Sequence, residues 1–118
     1  MVNTEVYFSL HVQSLFYILK SNKQQKVAIM SKLRKLTDED LNKISEIAVL
    51  SAQDFIFAEV SKKEINDIDI NVKLDYDEGL DVNIIVDIVF DDLSSVDTKI
   101  ADEAADHALL EIEKFLNI

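Results

Sequence analysis

Between residues 67 and 90 the chain alternates with a period of two. Ile68, Ile70, Val72, Leu74 and Tyr76 are apolar, and Asp67, Asp69, Asn71, Lys73 and Asp75 stand between them. After Asp77-Glu78-Gly79 the even positions stay apolar through Leu80, Val82, Ile84, Val86, Ile88 and Phe90. Strict alternation is the mark of a strand with one buried and one wet face. A three-residue loop at 77–79 sets Tyr76 opposite Leu80 and puts both apolar rows on one face. Gly79, the single glycine of the chain, is expected in the left-handed position that closes such a loop.

On either side of this hairpin the period changes to that of a helix. Thr37 followed by Asp40 forms a capping box, and Asp38, Glu39 and Asp40 place negative charge on the first turn. Leu41, Ile44, Ile47, Ala48, Phe55 and Ala58 then recur at helical spacing, predicting a helix to about Val60. Ser61 with Glu64 is a second capping pair, enough for one short turn. Beyond the hairpin Ser94 and Ser95 are candidate caps, and Ile100, Ala101, Ala104, Ala108, Ile112, Phe115 and Leu116 form the stripe of a last helix. Helices of ~23 residues and strands of ~10 have matching lengths of about 35 Å. The order helix-strand-strand-helix therefore predicts an α+β two-layer sandwich, its helices on one sheet face and its acidic hairpin wet on the other.

The first residues differ in character. Val6, Phe8, Leu10 and Val12 alternate like a strand, whereas Val12, Phe16 and Leu19 are spaced like a helix. Residues 1–29 hold three lysines and one glutamate, while the other nine basic and 22 acidic residues follow. Four of the nine aromatic residues lie in the first 17 positions. Residues 1–36 accordingly read as an N-terminal extension to a domain at 37–118, with Met30 a candidate for the true start. The other reading is an N-terminal strand or helix packed on that domain.

A chain of 118 residues with net charge −11, no cysteine, no proline and one glycine excludes much chemistry. Disulfides, thiolate zinc sites and cysteine nucleophiles are absent, and no Gly-rich phosphate loop can form. The charge opposes nucleic acid or an anionic membrane as partner. The apolar run from Val6 to Leu19 is too short and too polar to span a bilayer and lacks the flanks of a secretory signal. A cytoplasmic protein is expected.

Two groups of residues have the composition of a site. In the hairpin register Asp75 faces Asp81 and Asp69 faces Asp87, like charges that destabilise a sheet unless screened or bridged by a cation. No calcium loop fits, since placing Gly79 sixth puts Leu74 first and Ile85 twelfth. Paired-carboxylate hydrolysis needs an acid desolvated in a cleft, which an open strand face does not supply. Glu103, His107 and Glu111 share a helix side at ligand spacing; the plainer reading is exposed charge contacts four residues apart. His11 has no companion in the sequence. On the wet face of the second strand Ile85 and Val89 are the apolar exceptions, a candidate interface that either a second copy or the folded-back N-terminal segment would cover. A two-stranded sheet is too narrow for two helices, so a homodimer is the expected partner state.

The run FIFAEVSKKEINDIDINVKLDYDEGLDVNI, with the acidic-capped TDEDLNKISEIA before it and an alanine-rich helix after it, resembles a small archaeal family of uncharacterised proteins, domain of unknown function 3194. The resemblance covers Leu36 to Ile118 and leaves the first 30 residues unmatched. It implies no catalytic residue and no cofactor. Genes of that family often lie near those of archaeal chaperone and translation components. The functional expectation is a non-enzymatic, self-associating interaction module that docks a basic partner. The alternatives are a metal-dependent hydrolase using these carboxylates and a small-ligand-binding module with a pocket between sheet and helices.

Overall fold

The computed structural model describes residues 4–12, 20–30, 35–91 and 99–117, with side chains from residue 23 onward. Its elements in chain order are β1 (Thr4–Val12), β2 (Lys20–Met30), α1 (Asp38–Glu59), a 3-10 turn (Lys62–Glu64), β3 (Ile65–Tyr76), β4 (Leu80–Phe90) and α2 (Ile100–Leu116). The four strands form one antiparallel sheet in the order β1-β3-β4-β2. Helix α1 lies over β1 and β3, and α2 over β4 and β2. This is the α+β two-layer sandwich that the alternation predicts.

The hairpin carries the core. Ile68, Ile70, Val72 and Leu74 of β3 and every even residue from Leu80 to Phe90 of β4 are buried. Burying each of these large aliphatic side chains stabilises the fold by roughly 1.5–3 kcal/mol. The register is the expected one, with Tyr76 opposite Leu80, Asp75 opposite Asp81 and Asp69 opposite Asp87. An irregularity between Ile65 and Asp67 inserts Asn66, whose amide donates to the Phe90 carbonyl at 3.5 Å. The extra residue lets Ile65, out of phase with the alternation, pair with Phe90 and pack against the core.

One turn expectation is corrected. Gly79 does not adopt a positive φ; the loop closes through the Asp77 N–H, which donates to the Gly79 carbonyl at 3.1 Å. The three-residue loop thus forms with Tyr76 opposite Leu80 and without a left-handed glycine.

Helix α1 starts on the expected capping box. Thr37 Oγ1 accepts from the Asp40 N–H at 3.1 Å, and Asp40 Oδ2 accepts from the Thr37 N–H at 3.0 Å. Its buried face is displaced from the expected stripe. Leu41, Ile44, Ser45, Ala48, Val49, Ala52 and Ile56 are buried, whereas Ile47 and Phe55 are half-buried and Ala58 is exposed. Contact with both the sheet and α2 rotates burial away from a stripe drawn for one neighbour. Ser45 is tolerated inside because its hydroxyl donates to the Leu41 carbonyl at 3.2 Å. Ser61 accepts from the Lys63 N–H at 3.4 Å to begin the short turn.

In α2 the alanine stripe is buried as expected, with Ala105 added and Phe115 only half-buried. The helix begins at Ile100 after Lys99, which makes no side-chain cap bond; Ser94 and Ser95 lie outside the described residues. Its end is closed by Asn117 in the left-handed conformation, φ 64°.

The segment that the sequence leaves between strand and helix contains β1 and β2, and both sit beside the hairpin in the sheet. Strand β1 runs from Thr4 opposite Tyr76 to Val12 opposite Ile68, and β2 from Lys20 opposite Phe90 to Met30 opposite Leu80. Sheet width for two helices is thus present within one chain. Buried Leu36 follows, its N–H donating to the Tyr76 hydroxyl at 2.9 Å.

Candidate functional site

Antiparallel pairing sorts the outer sheet face into rows across the strands, neighbours standing about 4.8 Å apart. At the hairpin end, register places Asp75, Asp81 and Ile29 in one row, and Lys73, Asn83 and Val27 in the next. Asn71, Ile85 and Gln25 follow, then Asp69, Asp87 and Lys23, and last Asp67 and Val89. The expected aspartate pairs are therefore side by side. Their surroundings differ.

Asp69 accepts from the Asn71 amide at 3.1 Å, and Lys23 is the register neighbour of Asp87. Asp75 and Asp81 have no hydrogen bond or ion pair to another described residue. Exposed Asp77 and Glu78 lie in the adjoining loop, and Lys73 is the near cation. Beside Asp81, Val27 and Ile29 are 61 % and 76 % exposed. Val27, Lys73, Asp75, Asp81 and Asn83 line a surface depression of about 190 Å³. Ile85 and Val89 are half-buried among their in-sheet neighbours. The N-terminal strands flank this face rather than lying over it.

The helix candidates are on the opposite layer and do not join the sheet aspartates. Glu103 is exposed, the His107 ring packs against Phe55 with centroids 5.3 Å apart, and Glu111 Oε2 takes an ion pair from Lys114 at 2.9 Å. The Lys114 hydrogen bond holds the Glu111 carboxyl below the usual carboxylate range. His107 and Glu111 are thus engaged by Phe55 and Lys114. Among the described residues no group of three or more His, Asp or Glu side chains is arranged to hold a metal ion. A surface depression of about 450 Å³ between the start of α1 and the end of α2 is lined by Glu39, Asp40, Asn42, Lys43, Glu46 and Phe115. Its carboxylates serve other bonds in part, Asp40 in the capping box and Glu46 beside Lys43 at 3.9 Å. Among the described residues no helix is long and apolar enough to cross a membrane.

Sequence reasoning missed Val27, Ile29 and Lys26. Lys26 Nζ lies 2.7 Å from Asp102 and 3.6 Å from Asp106 of α2, and the Asp102 hydrogen bond raises its pKa above the ordinary lysine value. The uneven placing of lysines before residue 30 was the available signal; without the strand there was no face to assign them to.

Comparison with known proteins gives the lineage. An uncharacterised protein of Methanothermobacter thermautotrophicus is 46% identical over 85 residues, 72% of this chain and 93% of that one. Uncharacterised protein PH0533 of Pyrococcus horikoshii is 32% identical over 71% of this chain and 73% of its own length. Two solved structures share the fold. The solution structure of hypothetical protein mth677 from Methanothermobacter thermautotrophicus has TM-score 0.64 and 45% identity, covering 73% of this chain and 94% of that one. A crystal structure from Thermococcus onnurineus NA1 has TM-score 0.66 and 28% identity, covering 80% and 92%. The model of the family described as Protein of unknown function (DUF3194) matches residues 33–115, the α1-β3-β4-α2 unit. The chain belongs to that family.

Proposed function

We propose that this protein is a non-enzymatic, cytoplasmic interaction module that docks a basic protein partner on the outer face of its sheet. The observation that carries this reading is the hairpin end, where Asp75 and Asp81 face each other beside exposed Val27 and Ile29. Two carboxylates that share one nearby cation, Lys73, favour further ammonium or guanidinium groups, and the adjacent aliphatic side chains gain by being covered. An acid catalyst would need one carboxyl drawn out of water; Asp81 is exposed and Asp75 half-buried. A second copy laid over Ile85 and Val89, the homodimer expected from sequence, would set aspartate pairs against their equivalents. Charge favours the basic partner.

The test is binding of a labelled peptide alternating lysine with valine to the full chain, followed by fluorescence anisotropy. Asp75→Asn with Asp81→Asn weakens binding about fivefold, near 1 kcal/mol, and Ile29→Ser weakens it further, circular dichroism confirming the fold of each variant. Affinity indifferent to the double replacement refutes the reading. Sedimentation showing a dimer that Ile85→Asp with Val89→Asp dissociates would give the face to a second copy.

A further inference from the structure

Strand β2 is held to the helix layer by charge as well as to β4 by its backbone. Its sequence KSNKQQKVAIM has three lysines and no acid. The row of β2 facing the helices contains Gln24, Lys26, Ala28 and Met30 among its described side chains, opposite Val86, Ile84, Val82 and Leu80. Only Met30 of these is buried. In place of an aliphatic side chain over Ile84, Lys26 reaches across to Asp102 and Asp106. Those two aspartates are four residues apart, successive positions on one side of α2, and together they take a single amine.

The residues that receive β2 all lie outside it. Its floor is the edge of β4, whose backbone bonds any extended chain, and its wall is α2 with the two aspartates. Both belong to the residue 33–115 unit that the family model matches. A relative solved in solution is 94% covered by an alignment to 73% of this chain, so a protein of that reduced length folds. Strand addition to an open edge derives affinity from backbone bonds and selectivity from alternate side chains.

We infer that the β4 edge and the Asp102–Asp106 wall form a strand-addition groove for a basic extended segment, filled in cis by β2 and open to a basic strand of a partner protein when β2 withdraws. Among its described side chains β2 gives the core buried Met30 and partly buried Ala28, whereas β3 and β4 each give it a full row of buried side chains. The groove shares β2 with the docking face, since Val27 and Ile29 belong to that strand. Asp75→Asn with Asp81→Asn alters the docking face alone and Asp102→Asn with Asp106→Asn the groove alone, so failure of one reading is told from failure of the other.

The probe is a labelled peptide of residues 20–30, offered to residues 33–118 and to the full chain. The short form, checked for a cooperative melt, binds one peptide saturably, and the full chain binds about tenfold more weakly because its groove is occupied. Asp102→Asn with Asp106→Asn in the protein, or Lys26→Ala in the peptide, weakens binding about fivefold. A folded short form that ignores the peptide, or binding indifferent to those substitutions, overturns the inference. Should the short form not fold, full-length Lys26→Glu replaces it: with β2 loosened, it takes the unaltered peptide about tenfold more tightly than the parent, and equal affinity overturns the inference. A full chain that sediments as a strand-exchanged dimer assigns the groove to a second copy and overturns it as well.

Discussion

Single side chains set how the layers meet. Tyr76 ends the inner row of β3 and its hydroxyl accepts from the N–H of Leu36, tying the approach to α1 to the hairpin. Tyr76→Phe strands that donor in a part-buried place, and the expected loss is about 1 kcal/mol in urea unfolding; an unmoved midpoint would mean that water serves the N–H equally well. Glu111 offers a sharper measurement. Its carboxyl titrates below the usual range because of the Lys114 hydrogen bond. Stability from this pair is present above the ordinary carboxylate pKa and is lost as pH falls through the lowered folded value. Lys114→Met should move the Glu111 titration, followed by carboxyl NMR, upward toward the ordinary value; no movement would assign the depression to another neighbour. At this scale the sequence was legible for caps, since Thr37 and Asp40 need only each other. It was not legible for Phe55 or Ala58, whose burial depends on where α2 crosses.

Elements were legible in proportion to their amphipathicity. Strands β3 and β4 announce themselves because the core touches every second residue. Strand β2 does not, since Lys26 stands where the alternation would require an aliphatic side chain and its support comes from α2, more than seventy residues later in the chain. Register with β3 likewise resolves β1, whose local spacing suits strand and helix alike. The shared family unit without these strands leads to a definite expectation. A protein lacking residues 1–30 keeps a single cooperative thermal transition, at a lower midpoint than the full chain, because the hairpin core survives while two paired edges are lost. A broad, non-cooperative melt would show that the edge strands are required for the fold.

At the scale of the whole molecule, the charge read from composition proves to be arranged rather than diffuse, with Asp75 and Asp81 beside Lys73 at the hairpin end and Lys23 in register with Asp87 at the far end of the same face. The aspartate pairs were legible because hairpin register follows from the loop; the apolar half of the patch was not, because Val27 and Ile29 enter only through β2. Divalent cations test whether that end is a metal site instead. A cation binding no tighter than about 1 mM adds at most about 0.4 kcal/mol at 1 mM, so calcium, magnesium or zinc should move the melting temperature by no more than about 2 °C. A large saturable shift abolished by Asp75→Asn with Asp81→Asn would establish such a site. The strand order β1-β3-β4-β2 also has a consequence for synthesis on the ribosome. Both outer strands are translated before either strand they pair with: Lys20 meets Phe90 and Val12 meets Ile68. At about 5–20 residues per second, β2 waits several seconds for its partner. During that interval its three lysines discourage pairing with a neighbouring nascent chain, so Lys26, which later anchors the edge to α2, first helps to keep it single.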